Sequence, residues 1–295
     1  MGVAPAFARP IGYVAADLPG LTADEIIRLL VELEYQAVDW TMGQFDPVEE
    51  PSEVFAGLVR RSHDAGLLTP QLMVHQDYVT LDAAVWDERV RRTELAVDAC
   101  AQAGVRSIGV LTGPNRWEPG FATVGSELSE AEAWKLALSA LERVLHRAEQ
   151  AGVLVALEPC WGTLARDRYR AEYLFSQLDS AALAVNFDPS HFVLTGDDIP
   201  AAVAAWGPRI AHVHLKDAVG TQGLPDEEFT FLLPGEGRVP WAAMFGALDA
   251  VEYTGAICVE NEAFTLLQGA LNGDLRRWAA LAREFAGGVA TLGRD

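Results

Sequence analysis

Apolar positions in this chain come in short unbroken runs, separated by longer stretches in which they recur every three or four residues. Eight runs stand out: "IGYVA" (11–15), "AVDWTM" (37–42), "LMVHQ" (72–76), "SIGVLTG" (107–113), "VLVALEP" (153–159), "LAVNFDP" (183–189), "IAHVHLKD" (210–217) and "GAICVENE" (255–262). They are rich in Val, Ile and Leu and largely lack polar alternation, as strands covered on both faces do. The stretches between them predict helices. "LTADEIIRLLVELEY" opens with Thr22 as N-cap and Glu25 three residues later, a capping box, and "LSEAEAWKLALSALERVLHRAEQAG" repeats that opening with Ser129 and Glu132. Three helices end alike, at Ala65-Gly66, Ala103-Gly104 and Ala151-Gly152, where glycine suits a left-handed cap before the next strand. Eight strand–helix alternations predict an α/β fold, a (β/α)8 TIM barrel, for which about 250 residues is typical. An open doubly wound sheet fits less well, because "IGYVAADLPG" has no G-x-G-x-x-G turn. No linker rich in Pro, Gly or Ser interrupts the chain, so residues 1–295 read as a single domain.

Barrel enzymes carry their chemistry at the C-terminal ends of the strands. The last inward residues of strands five to eight are Glu158, Asp188, His214 and Glu260. Their spacing is close to one barrel unit, except before Glu260, where the long loop "AVGTQGLPDEEFTFLLPGEGRVP" intervenes. Singly, a strand-end Glu reads as a salt-bridge partner and Asp188 before proline as a turn cap. Jointly, four polar groups in register, each costly to desolvate, favour a shared cation. Three oxygen donors and one imidazole suit Mn²⁺, Mg²⁺ or Co²⁺. His212 shares the parity of His214 but lies deeper in the strand and reads as a core histidine. Around this set, His191 reads as a group that hydrogen-bonds a substrate hydroxyl or shuttles a proton, or else as a capped turn, and Lys216 as an anchor for an anionic group or a partner for a rim carboxylate. His75 ends strand three. Trp161 and Trp40 offer apolar walls or core packing, Arg238 lies on the long loop, and Glu262 shares the parity of Glu260.

Composition narrows the partners. The 295 residues are 50% hydrophobic and 22% charged, with a net charge of −20 and a pI near 4.6. Such an acidic chain repels phosphate backbones, which argues against nucleic acid. No apolar run approaches the roughly 18 residues of a membrane span. "MGVAPAFARP" is too short and weakly apolar for a secretory signal, and Ala6 occupies the position a myristoylation motif gives to Ser or Thr. Three cysteines, Cys100, Cys160 and Cys258, form no framework and point to a reduced, cytoplasmic setting. No helix face calls for a homo-oligomer, and none excludes one.

"ALEPCWG", "NFDPSHF", "HVHLKD", "PGEGRVPW" and "GAICVENE", in that order, resemble the sugar phosphate isomerase/epimerase family of xylose-isomerase-like barrels. The resemblance covers nearly the whole chain and is strongest from residue 153 onward. It implies one divalent metal on Glu158, Asp188, His214 and Glu260, with Mn²⁺ the first choice and Mg²⁺, Co²⁺ or Zn²⁺ as alternatives. It also implies a sugar or polyol substrate touched by His191. Glu158 and Glu260 are then expected as base and acid on two faces of a carbon beside a carbonyl. Proton removal and return gives isomerisation or epimerisation of a sugar, sugar acid or cyclitol. Loss of a β-hydroxyl gives a lyase instead, either an inosose or keto-polyol dehydratase or a subunit of a keto-glycoside deglycosidase. Ketose epimerases of this family carry an Arg shortly after "HVHLKD", whereas "AVGTQGL" follows here, a form closer to the inosose and keto-glycoside branches. The DNA-repair endonucleases of the superfamily are disfavoured by the net charge and by only six histidines. A non-catalytic ligand-binding barrel is the remaining alternative.

Overall fold

Each of the eight predicted runs supplies a strand, and the strands close on themselves. The computed structural model describes residues 9–223 and 228–292. In chain order the strands are β1 (Ile11–Val14), β2 (Ala37–Thr41), β3 (Gln71–Met73), β4 (Ser107–Val110), β5 (Leu154–Leu157), β6 (Leu183–Phe187), β7 (Ile210–Leu215), β8 (Asp217–Thr221), β9 (Glu228–Leu232) and β10 (Ile257–Val259). β1 to β7 and β10 form a closed, all-parallel barrel, with β1 pairing both β2 and β10. Helices between successive strands cover the outer face, giving the (β/α)8 architecture.

The helix signals act as the sequence implies. Thr22 caps Ala23–Glu32 and Ser129 caps Glu130–Ala151, each through a complete capping box. Gly104 and Gly152 end their helices at φ 73° and 68°, a conformation that costs a residue with a Cβ. Inward faces of these helices, such as Ile26 and Leu30, Val90 and Val97, and Leu141 and Val144, pack against the outer faces of the strands. Trp40 belongs to this core. It is fully buried with its indole N–H donating to Ser62 Oγ at 3.2 Å, so it builds no ligand wall.

The strands are shorter than the apolar runs, and three differences from expectation bear on the site. The run 72–76 yields only Gln71–Met73, and His75 stands beyond the strand. The run 255–262 pairs only over Ile257–Val259, leaving Glu260 to Glu262 on the loop above it. The segment after Lys216, expected as a loop, contains an antiparallel hairpin of β8 and β9. Residues 224–227 of that segment and 1–8, on which the leader and lipidation readings rest, lie outside the described residues. Among the described residues, no helix is long and apolar enough to cross a membrane.

Candidate metal centre

The barrel interior is apolar at its walls but carries a column of polar side chains. At the lower level, Asp39 from β2 and His212 from β7 meet at 2.7 Å, both fully buried. His212 is thus a paired core histidine. One step up, His214 Nε2 faces Asp39 Oδ2 at 3.5 Å and Gln71 Nε2 at 3.3 Å. Its other nitrogen, Nδ1, faces Glu158 Oε2 at 3.5 Å and Glu260 Oε2 at 3.6 Å. A carboxylate behind one imidazole nitrogen fixes the ring's orientation and frees the other nitrogen to act as a donor atom.

The strand ends deliver the remaining groups. Glu158 follows β5, Asp188 follows β6 and Glu260 follows β10, each by a single residue. Parallel strands in register therefore put all three carboxylates at one height around His214. One donor atom from each of the four residues lies within 4.8 Å of those of the other three, and all four side chains are buried. The proline after Asp188 ends pairing and starts the short helix Pro189–Thr195. Asp188 Oδ1 caps that helix by accepting from the Ser190 N–H at 2.8 Å. The first turn brings His191 back over the site, its Nε2 3.3 Å from Glu158 Oε1 and 3.6 Å from Asp188 Oδ2.

Lys216, at the end of β7, reaches into the same cluster. Its ammonium lies 3.0 Å from Asp188 Oδ2 and 2.8 Å from Glu262 Oε2, and it contacts Glu260 most closely. Burial opposes its charge, but these carboxylates outweigh that and hold its pKa well above the usual lysine range. Burial pushes Glu158 upward, while the charge of His214 and the nearby imidazoles of His191 and His214 bring it well below the ordinary carboxylate range. Burial leaves the Glu262 carboxyl raised above its ordinary range. Four carboxylates thus face one ammonium and the imidazoles of His214, His191 and His75. Asp188 Oδ2 and both ring nitrogens of His191 are buried without a hydrogen bond in the protein. Excess negative charge and unsatisfied donor atoms in a mixed oxygen and nitrogen set fit a divalent cation.

Above these groups opens a cavity of about 560 Å³, lined by His75, Glu158, Trp161, His191, Lys216 and Glu260 together with four further aromatic side chains. Burial lowers the pKa of His75, whose Nε2 stands 3.7 Å from Glu158. The structure therefore assembles every residue expected at the site except one. Arg238 is exposed, lies outside the cavity lining and donates its backbone N–H to Ala218 O. Several participants escaped the sequence reading. Asn186 donates to Glu158 Oε2 at 2.7 Å, and Asp17 accepts from the Asn261 N–H at 2.5 Å, pinning the segment that carries Glu260. Asn186 had a signal, since it shares the strand parity of Asp188. Phe229 and Phe231 had one too, in the alternation "FTF".

A family model described as xylose isomerase-like TIM barrel matches residues 27–284. An inosose dehydratase of Clostridium beijerinckii is 30% identical over 142 residues, or 44% of this chain and 48% of that protein, so the match spans about half the length of that relative. Among solved structures, a D-psicose 3-epimerase in the presence of D-fructose superposes with a TM-score of 0.72 at 17% identity, covering 96% of this chain and 99% of the other. An IOLI protein with a binding zinc atom gives 0.73 at 16% identity, covering 96% and 98%. At such identities the structural likeness is one of fold. The family match extends over most of the chain, and the chain belongs to the xylose isomerase-like TIM barrels.

Proposed function

We propose that this protein is a divalent-metal-dependent isomerase or epimerase of a sugar, sugar acid or cyclitol, working through an enediolate. The observation that carries the reading is the convergence of Glu158, Asp188, His214 and Glu260, two of which, Glu158 and Glu260, line a cavity. These four residues would hold the cation, with Mn²⁺ the first to test, and a solved structure of the same fold that carries a zinc atom is in keeping with a metal-binding barrel. Bound there, the cation supplies Lewis-acid polarisation of adjacent substrate oxygens. Glu158 and Glu260 rise from strands on different sides of the floor, so one can take a proton from carbon and the other return it. His191, with two unsatisfied ring nitrogens, is placed to hold a substrate hydroxyl, and Lys216 to balance charge as the enediolate forms.

A dehydratase reading is favoured by a separate observation, the 30% identity to an inosose dehydratase. The same proton removal followed by departure of a β-hydroxyl gives loss of water. Incubation of the Mn²⁺-loaded protein with keto-sugars and inososes in D₂O separates the two outcomes. Deuterium entering recovered substrate or its epimer, abolished in Glu158→Gln, is the expected result. Loss of water without exchange assigns the dehydratase. Absence of both, in protein that retains no divalent ion, overturns the proposal.

A further inference from the structure

The cavity is polar at one end only. Its ionisable groups gather at the floor, whereas Trp117, Trp161, Phe229, Phe231 and Phe264 line the rest. Four of these rings form a continuous path outward. Phe231 lies against the floor, 4.7 Å from Lys216 Nζ and 5.6 Å from the His191 ring. Phe229 follows at 5.4 Å, Trp161 at 4.9 Å from Phe229, and Trp117 at 5.3 Å from Trp161. None of the five packs into a hydrophobic core cluster of the described residues. Trp117 and Phe264 are the exposed Trp and Phe side chains among those residues, at 42% and 53%, and both border this cavity. Aromatic surface left wet at a pocket wall is surface that a ligand covers.

Resting on the isomerase or lyase reading of the floor, we infer that the substrate is an aryl-substituted keto-sugar or keto-cyclitol, whose carbonyl-bearing polar ring sits on the floor and whose flat apolar substituent stacks along this wall; simple phenyl glycosides are its non-reacting analogues. A cavity near 560 Å³ belongs to the size class that encloses ligands larger than a monosaccharide. Carbohydrate rings also stack on tryptophan, but each brings hydroxyls that need partners. Away from the floor the lining offers only Thr230 and Thr265 side chains as hydroxyl groups. An aryl group needs none.

Calorimetric titration of the Mn²⁺-loaded full chain with phenyl and methyl glycosides of glucose and galactose, and with cellobiose, tests this. The phenyl compound is expected to bind at least tenfold more tightly than its methyl counterpart. In Trp161→Ala, and independently in Phe229→Ala, that preference is expected to fall below threefold. Equal phenyl and methyl affinities, tighter binding of cellobiose, or no binding of any phenyl glycoside up to its solubility limit overturns the inference. Metal retention and D₂O exchange on smaller substrates, if preserved in that case, leave the reading of the floor standing; their loss as well removes both.

Discussion

Asp188 divides its carboxylate between two tasks. Oδ1 caps the short helix that carries His191, and Oδ2 faces the ion cluster. The turn-capping and ligand readings of this residue are therefore compatible, one oxygen for each. Below it, Asp39 illustrates a buried pair whose energetics can be isolated. Burial would raise its pKa, but the charge and hydrogen bond of His212, aided by His214, hold it at about 2, against an ordinary 3.8. A depressed carboxylate pKa contributes stability that is fully present above the unfolded value and fades as pH falls through the folded one. The contribution is about 2 kcal/mol near neutrality. In urea titrations, Asp39→Asn is expected to be less stable than the parent at pH 7 by at least that amount, with the gap narrowing as pH falls toward 2. A gap that is constant with pH would show that the deficit has another source. Residues of this lower level were hard to read from sequence, because a lone Asp in "AVDWTM" gives no hint of a partner more than 170 positions away.

The β8–β9 hairpin is the element that sequence patterning missed. Its strands are short, and the glycines and acidic residues around them read as loop. What holds it is one buried side chain. Asp217 accepts from the Ala218 and Val239 N–H groups through Oδ1, and from the Gly235 N–H and the Trp241 indole through Oδ2, at 2.9–3.0 Å. Gly237 passes so close that a Cβ there would lie 2.2 Å from Asp217 Oδ1, which is why this position tolerates no side chain. Asp217→Ala strands several buried donors at about 1–3 kcal/mol each. It is expected to lower the melting temperature by more than 5 °C and to speed amide exchange over residues 228–232. Because Phe229 and Phe231 ride on this hairpin, KM should rise while divalent-ion affinity is kept. An unchanged exchange rate in the hairpin would count against its anchorage by Asp217. The barrel strands, by contrast, were legible, since burial on both faces writes itself as unbroken apolar runs. Their ends were not, because a strand's last pairing depends on its neighbour rather than on its own composition.

At the scale of the molecule, the site couples to stability. A ligand that binds only the folded chain adds RT ln(1 + [L]/Kd), about 2.7 kcal/mol at a hundredfold excess over Kd. Mn²⁺ is therefore expected to raise the melting temperature of the parent protein by several degrees and that of Asp188→Ala hardly at all, both measured by scanning calorimetry. An equal rise in both would place the ion elsewhere. The four donor residues come from β5, β6, β7 and β10, the second half of the barrel, whereas His75 and Trp117 come from loops of the first half. The arc that supplies the ion donors therefore also carries Trp161, Phe229, Phe231 and Phe264, and only the edge of the cavity at His75 and Trp117 belongs to the other arc. Chimeras that exchange residues 74–83 and 111–128 with those of a relative would thus reshape that edge without touching an ion donor.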